Sequence, residues 1–234
     1  MRRRRGRRVA AHLMAEPHPP VFSSGEDLPP VPRQARSRAT RRRIMDAAMV
    51  LFAERGFQAT AVGGITARAE TAAGAFYLYF RSKRQLLVVL MNDLIAALSR
   101  LDLQPKSGAS IRDGLRVFLA QAFRADRQYY GVIRAWQEAA LTDPQLAAMQ
   151  NALEAWTQKR ILRVFLQLQR LPGARASRDL TGFARIMDRH FWSILARAAQ
   201  LPPRVFQREV RIAADIIYYY LFRDSPPSPD AKIG

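Results

Sequence analysis

Apolar residues recur at α-helical spacing along almost the whole chain, and this pattern constrains the fold more than any other feature. In the first such stretch Ile44, Ala47, Ala48, Leu51 and Phe52 fall at i, i+3, i+4, i+7 and i+8, which places them on one side of a helix. No alternation typical of strands and no hairpin signal competes with this spacing. The sequence therefore predicts an all-α protein of nine helices.

Several helix ends are marked by residues that favour them. Gly56 stands where a C-cap is expected after the first helix, and Thr60 is placed to cap a short second helix. Ser82 with Gln85 forms a capping box at the start of the fourth helix. Asp143 precedes a proline, which is the usual arrangement of an N-cap and the first helical residue.

Composition argues against several classes of protein. The chain has no cysteine and only three histidines, without metal-ligand spacing, so we expect no metal and no other cofactor. The longest stretch without charged residues has twelve residues, 56–67, too short for the ~20 residues of a membrane span. Glu138 and Asp188 cannot be argued to form a catalytic pair. We expect a cytoplasmic protein that is not an enzyme and does not bind a membrane.

The chain is strongly basic, with a net charge of +19 from 38 Lys and Arg against 19 Asp and Glu. Such an excess implies attraction to polyanions, nucleic acid above all; the alternative is charge that serves only solubility. Residues 1–36 are rich in arginine and proline, and we expect a disordered basic arm or an upstream extension before an internal start at Met14. Residues 224–234 are expected to be disordered as well.

Residues 37–84 have the outline of a helix-turn-helix domain, with three short helices followed by a longer one. The third helix, around residues 71–79, begins with the small residues Thr71, Ala72, Ala73, Gly74 and Ala75. Small side chains at the leading end of a helix allow close approach to base edges in the major groove. The sequence thus predicts a DNA-binding domain, followed by a second helical domain over residues 85–223.

The run from Ile44 to Thr60, then Val62 and Ile65, then Gly74 to Lys83 resembles the DNA-binding domain of the TetR family of repressors. The blocks keep their expected order and separation over about 45 residues. This resemblance implies a homodimer that binds a palindromic DNA operator and releases it when a small ligand enters the second domain.

The resemblance also assigns positions residue by residue. Thr60, Tyr77, Tyr79 and Lys83 match phosphate contacts, and Thr71, Ala72, Ala73 and Ala75 match the groove-facing start of the recognition helix. Arginines at the start of the first helix, Arg38 and Arg41 among them, are expected to contact phosphates or the minor groove. The chain departs from the family in having Glu70 where glycine is frequent in the turn, and alanines where polar or basic groove residues are frequent.

The second domain is rich in aromatic residues, some of which could line an apolar ligand cavity between helices. The cavity prediction comprises Phe118, Phe123, Trp136, Trp156 and Phe183. The last two helices have apolar residues on more than one side, which suggests a dimer interface with twofold copies of these helices. The interface prediction comprises Phe191, Ile194, Ile212, Ile216 and Tyr219.

We therefore expect a DNA-binding transcriptional regulator, a repressor released from its operator by a small apolar ligand. The alternative is a nucleoid or architectural DNA-binding protein of the same fold without an inducer. A helical enzyme or a binder of anionic membranes finds no motif in the chain.

Overall fold

The computed structural model describes residues 17–23, 25, 29–101, 110–175, 179–197 and 201–222, apart from the side chains of 125–127 and 196–197. Within these ranges the chain forms eight α-helices, one 3₁₀ helix and no β-strand, which confirms the all-α prediction and the nine helical segments. The helices are α1 (Ala35–Arg55), α2 (Val62–Arg68), the 3₁₀ helix (Ala73–Leu78), α3 (Lys83–Ser99), α4 (Ile111–Gln128), α5 (Tyr130–Ala140), α6 (Pro144–Leu168), α7 (Leu180–Arg197) and α8 (Pro203–Leu221). None of the described helices combines the length and apolarity needed to cross a bilayer.

Two of the predicted helix caps are present as expected. The Ser82 hydroxyl accepts a hydrogen bond from the amide of Gln85 at 3.0 Å, at the start of α3. The Asp143 carboxylate accepts from two amides of the first turn of α6. The predicted Thr60 cap is wrong, because α2 begins at Val62 and no side chain caps it.

The N-terminal helices join the rest of the molecule through α1, which packs along α5. Gly131 of α5 lies directly against the α1 backbone. A Cβ at this position would overlap the carbonyl oxygen of Met49 and come within 2.8 Å of the Ala53 nitrogen. Only glycine allows this approach, so the two helices are held at a fixed crossing.

Helices α4 and α8 also pack side by side and are tied by ion pairs. Arg112 and Arg116 of α4 lie 2.9 Å and 3.0 Å from the Asp215 carboxylate of α8. Hydrogen bonds from Arg112, and then from Arg116, lower the pKa of Asp215 to about 2. The carboxylate is therefore ionised at neutral pH, and both contacts are charge-assisted.

The prediction of a disordered arm over residues 1–36 is wrong for residues 17–23. Phe22 is buried, and its ring stacks on Trp136 with ring centroids 5.6 Å apart. Its backbone exchanges two hydrogen bonds of 2.9 Å with the Asn92 side chain. The indole N–H of Trp156 donates to the Pro17 carbonyl oxygen at 3.1 Å. The composition averaged over residues 1–36 did not reveal that a single aromatic residue, Phe22, anchors this segment. Residues 1–16, 24, 26–28 and 224–234, for which disorder is also predicted, lie outside the described residues.

The close crossing of α1 and α5 predicts opposite effects of two glycine-to-alanine substitutions. Gly131→Ala should lower the free energy of unfolding by about 2 kcal/mol, because the added methyl group displaces the α1 backbone. Gly63→Ala in α2 should raise it by up to ~1 kcal/mol, since no atom lies within 4 Å of the new methyl group and alanine favours helix. Urea denaturation measures both; equal stability of the two variants would contradict the crossing.

Candidate DNA-contact surface and interior cavity

The recognition segment is shorter than the predicted helix over residues 71–79, because only Ala73–Leu78 is helical and its turns are of the 3₁₀ type. Phe76 is fully buried beneath it. Phe76 also packs on the buried ring of Phe80, with centroids 5.7 Å apart. Tyr77 is 58% exposed, and its ring lies edge-on to that of Phe76, with centroids 5.3 Å apart. A six-residue helix cannot stand alone, so its position depends on the residues that hold it.

The turn before this segment contains the one described non-glycine residue with a positive φ, Glu70 at 51°. Glycine adopts that conformation at no cost, whereas other residues lose roughly 1–2 kcal/mol. The amide of Thr71 then donates to the Thr66 carbonyl at 3.0 Å and closes the turn. The sequence had marked Glu70 as a departure from the family, and the backbone keeps the left-handed turn nevertheless.

The ten predicted DNA contacts fall into three groups by exposure. Exposed are Arg38, Ala72, Ala73 and Tyr77; partly buried are Arg41, Thr71, Ala75, Tyr79 and Lys83; buried is Thr60. The structure brings the residues from 71 to 79 together on one continuous segment. Arg41 lies beside its end, with the guanidinium 5.2 Å from the centre of the Phe80 ring. Burial lowers the pKa of Arg41, and the nearby carboxylate of Asp93 partly offsets this.

Thr60 is turned into the protein, so its hydroxyl does not face a phosphate. The hydroxyl donates to the carbonyl oxygen of Gly56 at 2.6 Å and lies 3.3 Å from that of Leu51. The assignment of Thr60 as a phosphate contact is therefore wrong in this structure. Its role is to close the loop between α1 and α2.

Lys83 is likewise engaged inside the domain. An ammonium group has three N–H donors, and this one reaches three carbonyls, those of Phe57 (2.6 Å), Thr60 (2.7 Å) and Gln58 (3.4 Å). It also lies 4.3 Å from the centre of the Phe57 ring. Burial lowers the pKa of Lys83, and Glu138 partly offsets this. Lys83 thus ties α3 to the α1–α2 loop, which corrects its assignment as a phosphate contact.

Glu138 of α5 grips the same loop from the opposite side. Its carboxylate accepts from the amides of Phe57 at 2.7 Å and Gln58 at 3.0 Å. Gly56 has a φ of 82°, and a Cβ there would overlap the carboxylate. The predicted glycine at this helix end therefore serves both the left-handed conformation and the approach of Glu138. Sequence analysis considers Glu138 only in rejecting a catalytic pair, because an acid two residues before the end of a helix gives no signal of this role.

Two arginines extend the connection between the domains. The Arg134 guanidinium of α5 donates to the Ala53 carbonyl of α1 at 2.5 Å. Arg84 of α3 donates to the carboxylate of Asp143 at 2.6 Å and to the Gln145 side chain at 2.7 Å. The bond from Arg84 lowers the pKa of Asp143. The start of α3 is thereby joined to the start of α6 as well as to the α1–α2 loop.

A cavity of about 150 Å³ lies among α3, α4, α5, α6, α7 and α8. Of the predicted lining residues, Phe118, Phe123 and Trp156 contact it. Trp136 and Phe183 do not. Trp136 stacks on Phe22, and Phe183 stacks between two other rings, with centroids 5.1 Å and 3.7 Å away. Helical spacing identifies the inward side of a helix but not which inward residues border a gap.

Three polar residues join the otherwise apolar lining: Thr157, Arg160 and Asp188. Asp188 is 3% exposed, and the Thr157 hydroxyl donates to it at 2.8 Å. Arg160 donates to the carbonyl oxygens of Leu98 (2.6 Å) and Leu101 (2.9 Å), at the end of α3. Sequence analysis did not assign Asp188 or Arg160 to the cavity; a charged residue on the apolar face of its helix was the available signal.

The predicted dimer interface divides into two parts. Ile212, Ile216 and Tyr219 of α8 are exposed by 46%, 42% and 43%, and Ile186 of α7 by 64%. Ile194 is buried in the protomer, and Phe191 lines the cavity, with its ring 5.6 Å from that of Phe123. Phe191 and Ile194 are therefore wrong as interface residues, because the α7 face on which they lie packs inward.

The Lys83 contacts predict a difference in stability between two variants. Lys83→Met keeps the length of the side chain and removes the ammonium group, so it should lower the free energy of unfolding by about 2 kcal/mol. Tyr77→Phe removes an exposed hydroxyl and should change it by less than about 0.5 kcal/mol. Thermal and urea unfolding measure both. A Lys83→Met protein as stable as the parent would show that the three carbonyl contacts contribute nothing.

Residues 44–90 match the family model described as bacterial regulatory proteins of the tetR family. The TetC protein of transposon Tn10 from Escherichia coli is 36% identical over 55 residues, which are 24% of this chain and 28% of that protein. The uncharacterised HTH-type transcriptional regulator YuxN of Bacillus subtilis is 41% identical over 49 residues, 21% of this chain and 17% of that protein. The chain thus spans well under a third of either curated relative.

The fold extends the similarity beyond this segment. SmeT in complex with triclosan superposes with a TM-score of 0.60 and 23% identity, covering 81% of this chain and 96% of SmeT. SmeT is the repressor of the Stenotrophomonas maltophilia multidrug efflux pump SmeDEF. Residues 44–90 thus match the tetR family of bacterial regulatory proteins, and the described helices around them share the fold of SmeT.

Proposed function

We propose that the protein is a cytoplasmic repressor that binds a palindromic operator as a homodimer and leaves it when a small apolar ligand enters the cavity. The observation that supports this best is the position of α5. Ile133 of this helix lines the cavity, and Glu138, one and a half turns later, binds the loop that leads to the recognition segment. The single helix α5 therefore contacts both the ligand cavity and the loop that leads to the recognition segment.

The proposed DNA contact is made by the exposed side of the recognition segment. Ala72 and Ala73 present methyl groups, and Thr71 and Tyr77 add hydroxyls. Methyl groups suit thymine methyls in the major groove, and hydroxyls suit phosphates. Arg38, exposed near the start of α1, supplies charge for the backbone. This combination favours an A/T-rich half-site read by apolar contact and DNA shape.

The proposed homodimer uses the exposed apolar residues of α7 and α8, namely Ile186, Ile212, Ile216 and Tyr219. Large side chains on one face, each exposed by more than two fifths, favour burial against a twofold copy. Pairing α7 and α8 with their copies forms a four-helix bundle. The dimer then fixes the separation of two recognition segments at about one DNA turn, ~34 Å.

Release follows if ligand binding moves α5. Gly131 contacts the α1 backbone so closely that α5 cannot slide along α1, so a displacement at Ile133 is passed on to α1 and to the loop at Phe57. A ligand changes DNA affinity only to the extent that it binds the two arrangements differently. A change of a few ångströms in the distance between the two recognition segments is enough to weaken DNA binding, because both segments must contact their half-sites at the same time.

The alternative, an architectural DNA-binding protein without an inducer, is favoured by one observation. Of residues 71–75, only Thr71 has a side chain with a hydrogen-bond donor, and base-edge discrimination depends mainly on such donors. Broad occupancy of the genome, in place of a few sharp sites, would support this alternative.

A footprint and a salt titration test DNA binding. We expect protection of a palindromic site upstream of the protein's own gene. Arg38→Ala should reduce the slope of log affinity against log salt by about 1, because one phosphate contact is lost. The matched control is Arg124→Ala, an exposed arginine of α4, for which the slope should not change. Absence of any footprint at moderate salt would refute the proposed function.

The connection through α5 is tested by amide exchange. Glu138→Gln removes the carboxylate charge that two backbone amides share, so exchange at Phe57 and Gln58 should become about tenfold faster. Glu54→Gln changes the same charge in a surface pair 3.6 Å from Arg68 and should leave both amides as they were. Unchanged protection in Glu138→Gln, measured by NMR, would remove the proposed link between the cavity and the DNA-binding domain.

A further inference from the structure

The Asp188 carboxylate is a feature of the cavity that an apolar ligand does not explain. Asp188 borders the cavity and is 3% exposed. One oxygen accepts from the Thr157 hydroxyl at 2.8 Å, the other lies 3.4 Å from the amide nitrogen of Gln158, and the Trp192 side chain also donates to the carboxylate. All three partners are neutral groups. A carboxylate has about four acceptor sites, so these contacts leave room for one further donor.

No cation of the described residues balances this charge. No arginine, lysine or histidine in those ranges lies within ion-pair distance of Asp188. The other charged residue of the described lining is Arg160, whose guanidinium donates to the Leu98 and Leu101 carbonyls. Those carbonyls lie at the C-terminal end of α3, where the helix dipole is negative. The Arg160 guanidinium also lies 5.0 Å from the centre of the Trp156 ring, so its positive charge contacts both the end of α3 and that ring.

The surroundings of Asp188 make an additional cation favourable. Burial, which disfavours the charged form, raises the pKa of Asp188; hydrogen bonds from Thr157 and Gln158 partly oppose this shift, and the negative charge of Glu154 adds to it. A buried carboxylate in such a setting is stabilised most by an opposite charge that enters the same low-dielectric space.

The rings of the lining suit an organic cation better than an inorganic one. Phe191 and Trp192 border the same cavity as Asp188, and the faces of aromatic rings attract cations; the ring of Trp156, also in the lining, already contacts the Arg160 guanidinium. The volume of about 150 Å³ equals that of an engineered apolar cavity that binds benzene. A ligand of one ring and one charged group has matching size and chemistry.

We propose that the cavity binds a singly charged organic cation, a one-ring amine in its ammonium form, with the positive charge at Asp188 and the ring among the aromatic residues. This inference rests on the proposed function and specifies the class of its ligand.

Isothermal titration calorimetry at neutral pH with three probes of equal size tests the inference on the full chain. The probes share one benzene ring and differ mainly in charge: benzylammonium is positive, benzyl alcohol is neutral and benzoate is negative. Benzylammonium should bind about tenfold tighter than benzyl alcohol, since a charge-assisted hydrogen bond replaces a neutral one. Benzoate should bind most weakly. This comparison needs no variant.

Two variants locate the charge. Asp188→Asn should abolish the preference for benzylammonium over benzyl alcohol. Asp179→Asn is the matched control: Asp179 is exposed at the start of the same helix and accepts from the Gly182 amide at 2.8 Å, a cap that asparagine provides equally well. It should keep the tenfold preference. Circular dichroism checks that both variants fold. If one variant does not fold, the comparison of the three probes on the parent protein still tests the cation site.

The outcomes separate this inference from the proposed function. Equal or tighter binding of benzyl alcohol or benzoate, or no binding of any probe, would overturn the cation site while leaving the operator footprint intact. Cation binding with the expected loss in Asp188→Asn, but no footprint on DNA, would support the site and refute the repressor.

Discussion

The peptide units at Phe57 and Gln58 are held by charged groups from two different helices, and the placement of the recognition segment depends on this contact. Glu138 of α5 accepts from both amides, and Lys83 of α3 donates to the Phe57 carbonyl. Without these partners, the backbone amides and carbonyls of this loop would form hydrogen bonds with solvent. Because each bond involves an ionised partner, it is stronger than a neutral one, and the loop takes the position that α3 and α5 impose.

This arrangement explains how a six-residue 3₁₀ helix can occupy a defined place. Phe76 and Phe80 fix it from below, where both rings are fully buried, and α1 fixes it through Arg41. Its own hydrogen bonds contribute little, since so short a helix is unstable in isolation. The segment is thus positioned by side chains from flanking helices, whereas its exposed residues are free to be small. The proposed groove contact and the structural support of the segment therefore fall to different residues.

Local signals in the sequence were sufficient for the helices and for most of their ends, because caps such as Ser82 and Asp143 act within one turn of the chain. They were insufficient wherever a side chain reaches a distant segment. Lys83 matches a phosphate-binding position, yet its ammonium group turns toward carbonyls 23 to 26 residues away. Asp188 and Phe191 lie on the inward side of α7 as periodicity allows, but packing alone determines that a gap opens beside them.

The docked segment of residues 17–23 has a practical consequence for handling the protein. Pro17 holds the indole of Trp156, which forms part of the cavity wall, and Phe22 covers Trp136. An N-terminal truncation therefore preserves these contacts only if it ends before Pro17. A protease that cuts between Pro17 and Phe22 would remove Pro17, and the indole N–H of Trp156 would then lose its acceptor. Ligand screens on such a shortened protein would test a cavity whose wall is altered at Trp156.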